Sequence, residues 1–394
     1  MTNPAMHEPR KSGALRGGPL ALTLGGGGAR GAYQAGVLRG LASRCPSLRF
    51  QILTGISAGA VNTIHLASGN PDLVVAADQL CDLWLGLTPG QVFDVRSATL
   101  MINAFRWGAR LLSGGIGTGG EPMKGMVDTQ PLREFLARSL EPRPDGSIEG
   151  IARNLDSGAL RAVALTATSY STGLSVTWVQ SKEAELWLRP QRRSEYAALT
   201  VEHVMASSAL PMLFPAVQVH REWYGDGGMR LTAPLSPALH LGASRILTIS
   251  TKYQRSSNEP GSPMTAGYPP PAQVLGSLYN AVFLDLIDED IVRLGRINHL
   301  LDNIPRDRRE GLRKVEIMVI RPSQDLGRLA AEFEPKLPGL LRYLTRGLGT
   351  AATASPDILS FVLFQHDYIK RLIEIGEADG AAHAGELETF AAPA

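Results

Sequence analysis

The sequence predicts an α/β fold in which helices cover both faces of a central sheet, and three observations carry that reading. Short apolar runs suited to buried strands alternate with helical patterns along most of the chain. The first such unit, LALTLGGGGARGAYQAGVLRGLASRCPSLRFQILTGISAGAVN from Leu20 to Asn62, reads strand, glycine loop, helix, strand, sharp turn, helix. And 394 residues with 44% hydrophobic content suffice for one large α/β domain, or two domains, with a sizeable core.

Residues 1–18 are polar and read as a disordered leader, without the apolar core of ~7–15 residues and the cleavage site of a secretory signal. Leu20–Leu24 is a strand that stops at Gly25–Gly28. Ala32, Ala35, Val37, Leu38 and Leu41 then fit a helix packed on a sheet. A second strand, Phe50–Thr54, ends in Gly55-Ile56-Ser57-Ala58-Gly59, and Ala58–Ala67 reads as a buried helix. Asp72–Leu85 is amphipathic, with Leu73, Val74, Ala77, Leu80 and Trp84 on its apolar side. Residues 97–112, SATLMINAFRWGARLL, interleave Phe105 and Trp107 with Arg106 and Arg110 and contain no acid. They form either a lid or membrane-surface helix or a core helix with two solvated arginines. Ser113–Gly120 lacks the ending of a phosphate-binding P-loop and reads as a hinge beside that helix.

Asp128 is placed as the N-cap of a helix running to about Leu140, with Pro131 in its first turn. Leu160–Thr168 and Leu174–Gln180 form a hairpin around Ser171-Thr172-Gly173. Residues 200–214 give a helix and then a break in SSALPMLFP. Ala216–His220 and Glu222–Tyr224 form a second hairpin, ending in Gly225-Asp226-Gly227-Gly228. A short helix, Pro237–Gly242, precedes a buried strand, Arg245–Ser250. Residues 252–271, rich in Ser, Pro, Gly and Asn, read as a surface loop. A long helix over Ala272–Leu301, a strand at Val315–Ile320 and helices near Leu337–Leu348 and Pro356–Ile375 follow, with a frayed tail after Asp379.

Composition excludes several classes. A net charge of +2 provides no overall field for nucleic acid, and no nucleic-acid partner is expected. Cys45 and Cys81 are too few for a disulfide framework and read as buried free thiols. No run approaches ~18 consecutive apolar residues, so no transmembrane helix is expected. A cytoplasmic protein follows, soluble or in peripheral contact with a membrane through residues 97–112.

Two glycine-bordered turns carry the chemistry. Gly26-x-Gly28-x-x-Gly31, between a strand and a helix, matches the dinucleotide-binding pattern. That reading needs an acid after the next strand, and none occurs between Glu8 and Asp72. The same loop, at a helix N-terminus, presents N–H groups suited to the oxyanion of an acyl-transfer intermediate. Gly27 and Gly28 are the best donors, with Gly26 close behind; Arg30 either holds the loop or adds positive charge. Gly55-Ile56-Ser57-Ala58-Gly59 has the strand-turn-helix context of a nucleophile elbow, with the Ala58 N–H as a further donor; the alternative is a serine N-cap. A serine nucleophile needs a base. The chain has 8 histidines, and none stands in an obvious catalytic context. His240 follows Asp226 but sits in an apolar helix. Asp226, between Gly225 and Gly227-Gly228, is either a carboxylate base acting directly on the hydroxyl or the Asp of a plain β-turn.

GGGGARG at 25–31, GISAG at 55–59 and DGG at 226–228, in this order, resemble the patatin-like phospholipases. SSALPMLFP at 207–215 and APLSPALHLGASRIL at 233–247 extend the likeness over Leu20–Ser250, and residues 272–301 and 357–380 resemble the C-terminal part of bacterial members. The resemblance implies a three-layer α/β/α sandwich with a mostly parallel sheet. It also implies a Ser57–Asp226 dyad without histidine and an oxyanion hole at Gly26–Gly28. Arg30, Gly31, Gly55, Ala58, Gly59, Gly227 and Gly228 would support them. The implied activity is hydrolysis of acyl esters in phospholipids or other lipids, hence lipid degradation, with no metal and no cofactor. A thioesterase or transacylase with the same dyad is the nearest alternative, and a non-catalytic lipid-binding module a further one. The expected layout is a catalytic domain over 19–325, with substrate access set within 86–127, and a C-terminal helical extension over 326–394 packed on it.

Overall fold

The computed structural model describes residues 18–94, 125–254, 268–337, 342 and 357–392. The expectations for residues 1–17, the helix at 97–112, the hinge at 113–120, most of the access region within 86–127, most of the surface loop at 252–271 and most of the helix near 337–348 lie outside these.

Among the described residues the centre is a ten-stranded sheet. Its parallel half contains β1 (Leu20–Leu24), β2 (Ile52–Gly55), β3 (Ala162–Ser169), β9 (Arg245–Ile249) and β10 (Glu316–Ile320), in the order β10-β9-β1-β2-β3. Beyond β3 the sheet continues through β4 (Ser175–Ser181), β6 (Arg192–Tyr196) and β5 (Leu188–Arg189). Strand residues alternate between two cores. Leu20, Leu22, Leu24, Leu53, Val163 and Leu165 face one; Ala21, Ile52, Ala162, Ala164 and Ile246 face the other. The larger core is closed by α1 (Gly31–Arg44), α2 (Ala58–Ser68), α3 (Leu73–Leu85) and α13 (His366–Ala391). The smaller is closed by α8 (Ser236–His240) and α10 (Leu286–Asp302). This is the three-layer α/β/α arrangement with a mostly parallel sheet.

The remaining helices among the described residues are α4 (Pro89–Val92), α5 (Gln130–Leu140), α6 (Glu149–Asp156), α7 (Val201–Ser207), α9 (Pro271–Phe283), α11 (Leu326–Phe333) and α12 (Asp357–Val362). Several differ from the sequence reading. The helix expected over 272–301 is two, broken at Leu284-Asp285. Thr129, not Asp128, is the N-cap of α5, although Asp128 still accepts from the Gln130 amide at 2.9 Å. The helix near 356–375 is interrupted between Val362 and His366, and the tail past Asp379 is helical to Ala391. That last turn is held by burial of Ala384 and Leu387 and by Arg245, which donates to the carbonyls of Phe390 (2.9 Å) and Ala392 (2.7 Å).

One feature of register positions the site. β2 pairs with β3 only as far as Gly55 opposite Leu165. Further along the same edge of β3, Ala167–Ser169 pair instead with β8 (Glu222–Asp226), the second strand of the hairpin begun by β7 (Val217–Val219). β4 occupies the opposite edge throughout. Asp226 therefore faces Ala167, two places beyond Gly55. That is where β2 would have continued had the chain not turned away at Ser57.

Candidate active site

Ser57 ends the approach to the carboxyl edge of the sheet with φ 57° and ψ −128°, an unfavourable conformation for a residue with a side chain. The turn is held from both sides. The Ser57 N–H donates to Ser207 Oγ (3.1 Å), and that hydroxyl donates to the Thr166 carbonyl (2.7 Å). Ser208 Oγ donates to the Ser57 carbonyl (3.0 Å). A Cβ on Gly55 would stand 2.3 Å from Thr63 Oγ1, and one on Gly59 2.1 Å from the Leu24 carbonyl, so the bordering glycines are steric requirements. Ser57 occupies the N-cap position of α2, yet its side chain makes no capping bond. The hydroxyl is therefore not held as a helix cap.

Asp226 is fully buried. Its N–H donates to the Ala209 carbonyl (2.9 Å), its carbonyl accepts from Thr168 Oγ1 (2.8 Å), and its Oδ1 accepts from the Gly228 N–H (2.9 Å). Oδ2 makes no hydrogen bond of full geometry. Burial raises this carboxyl from 3.8 to about 7, opposed by hydrogen bonding from the Ser57 hydroxyl and the Gly228 amide. The Ser57 hydroxyl is thus near enough to act on this carboxyl, of which Oδ2 is the oxygen without another partner among the described residues. Gly227 allows the approach: a Cβ there would stand 2.1 Å from the Thr166 carbonyl and 2.9 Å from Ile56 Cγ2.

The glycine loop lies on the other side of the serine. A Cβ on Gly26 would come within 3.1 Å of Ser57 Cβ and 3.6 Å of Oγ. Gly27 (φ 152°) and Gly28 (φ 55°) take conformations that disfavour other residues. Side chains anchor the loop carbonyls: Gln34 Nε2 donates to Gly25 O (3.0 Å) and Thr251 Oγ1 to Gly26 O (3.0 Å). In a trans peptide the following N–H points the opposite way, so these bonds also aim the amides of Gly26 and Gly27. Among the described residues the amides of Gly26, Gly27 and Gly28 have no acceptor.

An apolar pocket opens beside Ser57. Val61, Leu83, Trp84, Leu132, Phe135, Phe214 and Phe364 line it, and no histidine does among the described residues. His240 instead stacks on Trp187, with ring centroids 4.7 Å apart.

A family model described as patatin-like phospholipase matches residues 22–239. The chain belongs to the patatin-like phospholipase family. No curated protein matches it. Among solved structures it is similar to VipD from Legionella pneumophila, at 13% identity over 90% of this chain and 67% of that one, with a TM-score of 0.31. It is also similar to human GIVD cytosolic phospholipase A2 in complex with methyl gamma-linolenyl fluorophosphonate, at 12% identity and a TM-score of 0.44. That match covers 95% of this chain but 59% of the human one, less than two thirds of its length.

Part of the site lies beyond the region matched to the family. Arg30 is buried and its charge is neutralised: Nη2 pairs with Asp357 at 2.5 Å, Nε donates to Ser360 Oγ at 2.7 Å, and the guanidinium lies 5.0 Å from the Phe361 ring centroid. Its Nη1 reaches the Thr251 carbonyl (3.5 Å), on the residue that anchors Gly26. Arg30 thus ties the start of α1 to α12 and to Thr251. Gly28 fits because a Cβ would stand 2.1 Å from the Phe361 carbonyl. Sequence reasoning missed Ser207, Ser208, Thr251, Asp357, Ser360 and Phe364. Ser207-Ser208 opened the SSALPMLFP break that the family likeness included, and two adjacent hydroxyls there were the available signal.

Proposed function

We propose that this chain is a serine lipid acyl hydrolase acting on phospholipids or related lipid esters, with Ser57 as nucleophile, Asp226 as base and the Gly26–Gly28 amides as oxyanion donors. In this reading Ser57 Oγ attacks the ester carbonyl carbon while its proton passes to Asp226 Oδ2. The carbonyl oxygen takes up the negative charge facing the glycine amides, where each donor contributes about 3 kcal/mol of transition-state stabilisation. Collapse breaks the bond to the alcohol oxygen, which leaves with the proton from Asp226, and an acyl-enzyme remains on Ser57. Water then attacks that ester, gives a proton to Asp226, and the same steps in reverse return the proton to Ser57 and release the fatty acid.

The observation that supports this reading is a serine hydroxyl free of any capping bond that acts on a buried carboxyl whose Oδ2 has no other partner among the described residues. A carboxyl near pH 7 has the basicity that proton transfer at neutral pH requires. The apolar pocket supports an acyl chain as the bound group. The 19–325 and 326–394 layout belongs to the same proposal, with the qualification that Asp357 and Phe364 reach the site from the second part. No helix among the described residues is long and apolar enough to cross a membrane.

A panel of phospholipids, lysophospholipids and neutral glycerides tests the reading, assayed with wild type, Ser57→Ala and Asp226→Asn. Both variants should lose at least about 1,000-fold in kcat, with Ser57→Ala also losing fluorophosphonate labelling. Hydrolysis that persists in Ser57→Ala, or is lost equally in His240→Ala, defeats the dyad. A parallel assay with alcohol or thioester substrates distinguishes a transacylase or thioesterase from a hydrolase.

A further inference from the structure

The apolar pocket beside Ser57 does not take up the whole length of α2 and α5. α2 and α5 run on beyond it, and a second cavity follows between the same two helices and α3. Val61 and Leu132 line the first cavity; His65, Ser68 and Ser139, one to two helical turns further on, line the second. Leu83 of α3 and Phe135 of α5 line both. These two side chains are the wall between the cavities.

The two sides differ in chemistry. On the Ser57 side the pocket is walled by aliphatic and aromatic side chains. On the far side the second cavity is bordered by Gln79, Asp82, Glu141, Glu149 and Arg153, and His65 brings a buried Nε2 with no partner among the described residues. An alkyl chain whose carbonyl sits at Ser57 runs along α2 from Val61 towards His65, roughly 6–12 Å by helix rise, before it meets the wall. Beyond the wall, methylenes would displace water from charged and polar groups and gain little.

We propose that Leu83 and Phe135 set an upper limit on acyl-chain length, making the enzyme selective for short and medium acyl esters. This rests on the hydrolase reading of Ser57. Removing the wall joins the two cavities into one longer channel. Filling it shortens the first.

The test is a series of para-nitrophenyl esters, from butyryl to palmitoyl in one detergent, assayed with wild type, Phe135→Ala, Leu83→Ala and Leu83→Phe. Wild-type kcat/KM should pass through a maximum and fall before palmitoyl. Phe135→Ala should raise the palmitoyl-to-octanoyl ratio of kcat/KM roughly tenfold or more, a size typical of pocket changes at a few methylenes. Leu83→Ala should move it the same way, which keeps the test intact if one variant folds poorly, and Leu83→Phe should move it the other way. A wild-type profile that still rises at palmitoyl, or a ratio unchanged in both alanine variants, overturns the wall. Hydrolysis that survives Ser57→Ala across the series instead overturns the reading beneath it, and the wall with it.

Discussion

Glycine crowds two regions of this molecule, the loop Gly25–Gly28 and the seam where α1 crosses α13. In the seam the missing side chains are replaced by opposing backbone. A Cβ on Gly36 or Gly40 would stand 2.2 Å from the carbonyls of Ile373 and Glu377, and one on Gly376 or Gly380 2.2–2.3 Å from those of Tyr33 and Val37. Polar contacts fasten the crossing: Arg39 pairs with Glu377 at 2.5 Å and the Tyr33 hydroxyl donates to Asp379 at 3.0 Å. In the loop, Gly28 also meets backbone, the Phe361 carbonyl, but the space freed at Gly26 adjoins the Ser57 side chain. Absence of a side chain thus has two uses here, and what fills the freed space tells them apart.

The same substitution in each region is the sharpest way to break that contrast. Gly376→Ala puts a methyl into opposing backbone that has no rotamer to yield, and should cost about 3 kcal/mol of stability in urea unfolding. The folded fraction should keep a kcat close to wild type. Gly26→Ala puts a methyl against Ser57 and should lower kcat by about 100-fold, with a midpoint of thermal unfolding close to wild type. If Gly376→Ala lowers kcat as strongly, or Gly26→Ala unfolds the protein as readily, the two regions are not separable in this way.

A second substitution probes the link between them. α12 carries Asp357, and Asp357 holds Arg30 at the start of α1. Asp357→Asn leaves a buried guanidinium without its counter-charge, a change expected to destabilise by about 3 kcal/mol or more. Because Arg30 also reaches the residue that anchors Gly26, kcat should fall roughly tenfold while KM for a short soluble ester stays near wild type. Steady-state kinetics on the purified variant below its unfolding range decide it. A variant that is less stable but catalytically normal makes the clamp structural only.

What was legible in the sequence follows from the range of the interactions involved. β1, the glycine loop, β2 and the Ser57 turn are contiguous, so their strand, turn and helix signals reinforce one another. Asp226 was a candidate through its glycine neighbours, but its choice over a β-turn aspartate depended on family resemblance. The register that sets it beyond the end of β2 is a pairing across about 60 residues of chain, on which local pattern is silent. β6, Arg192–Tyr196, escaped notice because RRSEY has no apolar run, its pairing being with β4 inside the sheet and with only the short β5 outside. Gly36 and Gly40 read as ordinary small residues on a helix, since the backbone that demands them arrives more than 330 residues later. The frayed-tail expectation failed for the same reason: Ala384 and Leu387 are buried in the larger core, and α1, against which their helix packs, lies at the other end of the chain.

The mildest effect expected separates function from stability within one residue. Asp226 holds its proton up to about pH 7 in the folded chain, against an ordinary value of 3.8. Between those values the native state binds more protons than the unfolded state, so this group weakens the fold progressively as pH rises from about 4 to 7 and by a constant amount above. Taken alone, the shift corresponds to roughly 4 kcal/mol. Asp226→Asn removes the ionisation but brings an amide N–H₂ that must find acceptors in a buried site, so a net gain of roughly 1–2 kcal/mol at pH 8 is expected. Denaturant unfolding of both proteins at pH 4, 6 and 8 measures it, and the difference in favour of the amide variant should widen with pH. Activity should show the complementary trend, with wild-type kcat/KM rising through about pH 7 as the carboxyl ionises and the variant inactive throughout. A stability difference independent of pH means that Asp226 is already ionised in the mildly acidic range. The raised basicity on which direct proton transfer from Ser57 depends is then absent, and a separate base has to be sought.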